Sequence, residues 1–187
     1  MRSIRHLPCD RRAVAAIEFA LILPVMVLLF LGAVEIGKAL FVDRKVVTVA
    51  SAGGDLVAQG EEVSDSAMAD IFAAMDLIFE PYPGADATYF IASIIIDPDD
   101  PDAEDTIVDW SDGRGVTLPA DGDPFTLPVG LIPGVGDSVI VAEVTYTYEP
   151  LFGAQIIAPD GIGMEAKSYL RPRKVKVIPR CASSPCT

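Results

Sequence analysis

Residues 19–34 pass without a charge, and eleven of these sixteen side chains are Leu, Ile, Val or Phe. Each of those is worth roughly −0.3 to −0.6 kcal/mol at a bilayer centre, so together they outweigh the cost of about 3 kcal/mol for a lone carboxylate such as Glu18. Sixteen helical residues rise only about 24 Å, but residues 13–34 rise about 33 Å, which matches a hydrocarbon core of about 30 Å. The stretch therefore predicts a helix that spans a bilayer over about residues 14–36. Pro24 lies inside it and removes one helical hydrogen bond. A cleaved secretory signal is the competing reading. Small residues do not stand at the expected positions directly after the run, so the segment is expected to be retained.

Past residue 40 the helical pattern persists, because Val42, Val46, Val49 and Ala50 hold one apolar face while Asp43, Arg44 and Lys45 mark a polar boundary. The pattern supports a helix over 14–58, with Gly53-Gly54 as the expected place for a stop or break. A second helix is signalled by Ser64 or Asp65 as a cap. Met68, Ile71, Phe72, Met75, Ile78 and Phe79 then follow at helical spacing as far as Pro81. Four strands are expected after it, at 88–96, 106–110, 138–148 and 164–170. Residues 138–148 alternate: Val139, Val141, Glu143, Thr145 and Thr147 share one face and Ile140, Ala142, Val144, Tyr146 and Tyr148 the other. Residues 111–137, rich in Gly and Pro, read as a long irregular connection. The expected fold class is α+β: a long N-terminal helix continuing into a domain with a second helix and an antiparallel sheet.

Charge adds a direction to this outline. The chain of 187 residues has a formal net charge of −13 and a mean hydropathy of +0.40, so apolar and acidic residues are segregated. Residues 1–13 form a basic leader with Arg2, Arg5, Arg11 and Arg12, whereas residues 46–170 hold 23 acids against Arg114 and Lys167. Arginines on the near side of the span predict a cytoplasmic N-terminus. The acidic domain, taken as residues 59–173, would then lie outside the cytoplasmic membrane. Its charge argues against nucleic acid as a partner. Residues 174–187 form a basic tail that can pair with the acidic domain or with an acidic neighbouring subunit.

Candidate chemistry is sparse. The loop of residues 97–105 holds six acids, and Asp97, Asp99 and Asp102 are its weak Ca²⁺ candidates. Two prolines and the missing turn glycine favour a solvated loop instead. The one histidine, His6, lies in the leader, and no hydrolase, nucleotide-binding, zinc or redox motif is present, so no enzyme and no cofactor is expected. Cys181 and Cys186 would sit where disulfides persist, and their spacing is open to a local bridge, free thiols or an intermolecular link; Cys9 would lie in a reducing compartment.

The run Arg12-Ala13-Val14-Ala15-Ala16-Ile17-Glu18-Phe19-Ala20-Leu21-Ile22-Leu23-Pro24 resembles the start of TadE-like proteins, minor pilins or pseudopilins of the tight-adherence (Flp-type) pilus system. Later stretches agree with that family: Asp55-Leu56-Val57-Ala58-Gln59, Val144-Thr145-Tyr146-Thr147-Tyr148-Glu149-Pro150-Leu151-Phe152 and Leu170-Arg171-Pro172-Arg173. The resemblance implies a prepilin peptidase cut between Ala13 and Val14, with Glu18 and Phe19 as the family's Glu-Phe pair. Where the family has Gly before the cut this chain has Ala13. The resemblance further implies that Glu18 and Pro24 serve assembly, and that the partners are other pilin or pseudopilin subunits, the pilus assembly machinery, prepilin peptidase and the bilayer. Physically, Glu18 can neutralise the α-amino group of a neighbouring chain in a low-dielectric helix bundle, or it can reach the cytoplasmic interface. The alternative function is a membrane-anchored periplasmic binding or sensing module that uses the sheet or the acidic loop.

Overall fold

A computed structural model describes residues 11–82, 87–97, 105–128, 130–131, 135–152 and 158–186. The fold is α+β, with a long apolar N-terminal helix, a second helix and an antiparallel four-stranded sheet. Helix α1 (Arg11–Ala58) continues through Pro24. Every side chain over residues 14–30 is exposed, and the most apolar window of 18 residues is not buried by any described part of the domain. The outer half is amphipathic: Val42, Val46, Val49, Ala50 and Val57 are buried against the domain.

The helix does not stop at Gly53-Gly54, and the reason is packing. A Cβ on Gly53 would lie 2.6 Å from Met75 Sδ, and one on Gly54 would lie 2.6 Å from Leu170 Cδ1 and 3.2 Å from Ala142 Cβ. The two glycines let α1 approach the second helix and the sheet closely, a use of glycine that the linear pattern does not distinguish from a terminus.

After the short strand β1 (Val63–Ser64), helix α2 (Asp65–Phe79) begins at Ser64, whose hydroxyl accepts a hydrogen bond from the Ala67 amide at 3.3 Å. Met68, Met75 and Phe79 are its buried side chains. Lys45 of α1 closes the other end, donating to the carbonyls of Ile78, at 2.9 Å, and Glu80. The sheet follows as β2 (Ala87–Ile96), β3 (Thr106–Arg114), β4 (Ser138–Tyr148) and β5 (Ile162–Leu170), in the order β3-β2-β4-β5. The third strand runs four residues past the expected Trp110, because Ser111, Asp112, Gly113 and Arg114 find partners in Ala92, Ile91, Phe90 and Tyr89.

Both faces of the sheet are covered. Ile140, Ala142, Val144, Tyr146 and Tyr148 pack towards the helices, as their alternation suggests, with Tyr89, Ile91, Met164 and Ala166. Phe90, Ala92, Ile94, Val108, Val139 and Val141 form a second small core, closed by Leu127 and Phe125 from the connection before β4. A register shift between Ser93 and Ile94 leaves Asp109 unpaired in the ladder. The extra residue reverses the alternation of β3, so Val108 enters the second core while Trp110 joins the helix side.

The chain after β5 returns to the domain instead of leaving it. Ile178 is fully buried, and Trp110 Nε1 donates to its carbonyl at 2.7 Å. Strand β6 (Arg180–Cys181) pairs in parallel with β1. The basic side chains meet acids of the same chain: Arg173 with Asp55, Lys174 with Glu61, Lys176 with Asp137, and Arg180 with both Asp65 and Asp112.

Candidate functional site

The inner half of α1 carries the candidate assembly residues. Val14, Glu18, Phe19 and Pro24 are all exposed on the helix, and Ala13 lies in its first turn. Glu18 makes no hydrogen bond or ion pair among the described residues. One carboxylate thus stands on a bare apolar helix whose most apolar window of 18 residues has no burial within the domain. Such a surface has two possible coverings, lipid or other helices, and a partner helix that brings a cation would give Glu18 a counter-charge.

A second carboxylate on the same helix is used differently. Glu35, the first charge after the apolar run, accepts hydrogen bonds at one oxygen from Tyr148 Oη and from the Leu151 amide, both at 2.7 Å. Burial and the hydrogen bond to Glu35 push the Tyr148 hydroxyl up to about 12. This contact fastens the end of β4 to α1 and marks where the domain begins along the helix. Sequence reasoning passed over Glu35; its signal was a charge directly at the end of the apolar run, seventeen residues after Glu18.

The C-terminal cysteines form a bridge between Cys181 and Cys186, with an S–S distance of 2.04 Å. Glu62 holds the bridged loop, accepting from the Cys186 amide at 2.7 Å and from the Ser184 hydroxyl. These two donors, the amide foremost, lower the Glu62 carboxyl below its usual value. The two sulfurs and this carboxylate lie within 4.8 Å of one another, but the sulfurs are spent on each other and are no metal ligands in this state.

Of the acidic-loop candidates, Asp99 and Asp102 lie outside the described residues, as do His6 and Cys9. Asp97 is placed at the mouth of that loop, where its amide donates to the Asp105 carbonyl at 2.9 Å. A separate open groove of about 790 Å³ runs beside α2 and the end of β3. Two of its charges are matched to each other: Arg114 donates to both oxygens of Asp76, one at 2.8 Å, and Tyr89 donates to Asp76 at 2.9 Å, while Glu80 adds a further carboxylate to the lining. Arg114 is the main cause of a lowered Asp76 carboxyl, and burial foremost raises the Tyr89 hydroxyl. The one cation of this groove, Arg114, is thus already engaged and is not open to an anionic ligand.

Residues 13–55 match the family model of TadE-like proteins. The matched segment is the part of α1 that holds Glu18, Pro24 and Glu35 and ends just past Gly54. Neither the curated proteins nor the solved structures return a significant match to the chain.

Proposed function

We propose that the protein, whose residues 13–55 match the family model of TadE-like proteins, is a minor pilin or pseudopilin-like component of tight-adherence pilus assembly. It acts through packing of α1 with the helices of other subunits and not by catalysis. The observation that carries this reading is Glu18, exposed and without a partner among the described residues, on a helix half that the described residues of the domain leave bare. In a helix bundle its carboxylate would pair with the α-amino group that a cut before Val14 leaves on a neighbouring subunit. The protein would then sit in the cytoplasmic membrane as a single-pass chain, with its domain on the outer side. The arginine-rich leader and the acidic domain support that orientation.

The test is Glu18→Ala in cells that make the other pilus subunits. Insertion is expected to persist, since removing a carboxylate from a membrane helix favours the apolar state. Cross-linking to other pilin helices should fall, because a well-buried pair that loses one partner costs up to about 3–5 kcal/mol. Ala13→Gly, which restores the family residue, should speed removal of the leader, read from the mass of the mature chain. Normal cross-linking of Glu18→Ala, with a chain that still begins before Ala13 in both variants, would end the pilin reading. It would leave the alternative of an anchored binding or sensing module, in which the match of Asp76 to Arg114 would have to open for a ligand.

A further inference from the structure

The domain carries an apolar underside at the level where α1 leaves the apolar run. Glu35 fixes that level: it follows residues 19–34 directly, and its carboxylate holds Tyr148 and the Leu151 amide. The chain just after β4, at Leu151, is therefore pinned at the end of the membrane-crossing stretch. Yet Leu151 is 70% exposed, Phe152 48% and Ile162 39%. Phe152 and Ile162 border a groove of about 390 Å³ with Leu28 and Ile36 of the helix on its other wall, while Leu151 stands on the neighbouring side, towards Lys38 and Tyr82. The polar side chains in that groove are Glu35 and Tyr148, bonded to each other through Glu35 Oε1, while Glu35 Oε2 is buried without a partner among the described residues; the rest of the lining is apolar.

We propose that residues 150–152, together with Ile162, rest in the membrane–water boundary, so that the bilayer holding α1 also covers this apolar underside. The occupant is lipid because one wall of the groove is the membrane helix itself. Leu28 lies inside the apolar run, so acyl chains that surround it meet Phe152 and Ile162 without a break. Exposed Leu and Phe at interfacial depth, backed by tyrosine, suit the boundary between headgroups and chains. The domain would then hold the bilayer at two places, the helix and this loop, which fixes its tilt before any assembly. The inference requires only that α1 crosses a membrane, and it stands apart from the role of Glu18.

The experiment uses the full chain reconstituted alone into phosphatidylcholine vesicles containing lipids brominated near the headgroup end of their acyl chains. Leu151→Trp and Phe152→Trp serve as separate reporters, with the emission of wild-type Trp110 subtracted. Leu56→Trp is the control, since Leu56 lies 21 residues beyond Glu35, about 31 Å along the helix. The reporters at 151 and 152 are expected to emit at shorter wavelength than the control and to lose most of their intensity to the brominated lipid. The control should keep its intensity. Two outcomes overturn the proposal: reporters that the lipid leaves unquenched, or a blue shift that grows only as protein density in the vesicle rises, which would mean a second protein covers the surface.

Discussion

Glycine has three different physical meanings along α1, and only the surroundings separate them. Gly37 has nothing within 4 Å of an added Cβ, whereas Gly54 would press a methyl group onto Leu170 and onto the fixed Cβ of Ala142. Gly53 faces the thioether of Met75, a flexible side chain that can yield. Alanine is favoured over glycine in a helix by about 1 kcal/mol, and overpacking a core costs about 1–3 kcal/mol. Gly37→Ala is therefore expected to stabilise the protein by up to about 1 kcal/mol, and Gly54→Ala to destabilise it by about 0–2 kcal/mol. Denaturant unfolding in one detergent, followed through Trp110, checks the order; equal effects would contradict the close approach of α1 to the sheet. Tyr148 gives a second test at this scale. Its hydroxyl is held neutral up to about 12, above an ordinary value of about 10. The stability it lends is thus complete below about pH 10 and lost as pH rises through the folded value. Tyr148→Phe removes that alkaline loss, so its stability curve against pH should be flatter than the wild type's between about pH 10 and 12.

Helix α2 is fastened at both ends by side chains from other elements, Ser64 at its start and Lys45 at its finish, and Asp76 ties its last turn to β3 through Arg114. The lowered Asp76 carboxyl means that the tie contributes above the unfolded value of about 4 and is lost as pH falls below it. Both partners are more than a third exposed, so the contribution is about 0–1 kcal/mol. Melting curves of wild type and Asp76→Asn should accordingly differ slightly near neutrality and converge below about pH 4; a difference that widens in acid would refute the assignment. The tail divides in the same way into a core part and an edge part. Ile178 and Arg180 are held by the domain before the bridge begins. Closing so short a loop is worth roughly 2 kcal/mol or less. Cys181→Ser is expected to speed hydrogen exchange at the Cys186 amide while leaving the Trp110 environment unchanged. A shift of the Trp110 emission would show that the bridge supports the core.

Across the whole molecule, charge and apolar surface are sorted along one axis. The leader is basic, the inner half of α1 is apolar and bare, and the domain is acidic with its basic tail folded back onto it. Such a chain should insert with the leader in the cytoplasm. A reporter that needs the oxidising compartment, fused after residue 60, should be active, and replacing Arg2, Arg5, Arg11 and Arg12 with Asn should reduce that activity. Activity only from a cytoplasm-dependent reporter would reverse the orientation and remove the setting for pilus assembly. Because Arg173, Lys174, Lys176 and Arg180 are engaged within their own chain, these four cations are poor candidates for gripping a neighbouring acidic subunit.

The linear pattern alone determined the apolar helix, the second helix, the positions of the four strands and the division of the β4 side chains between two faces. Each follows from a repeat of 3.6 or 2 residues that a short window contains. The TadE-like start was equally legible, since its residues are consecutive. What needed the tertiary structure was every relation between distant residues. Gly53-Gly54 continue a helix because Met75 and Leu170 stand where side chains would go. Trp110 and Val108 face opposite cores because one bulge at Asp109 reverses the alternation. Glu35 is a tether for the domain only because Tyr148 and Leu151, more than a hundred positions later, arrive beside it. Local sequence encodes which face of an element is apolar; what covers that face is decided by the packing of elements far apart in the chain.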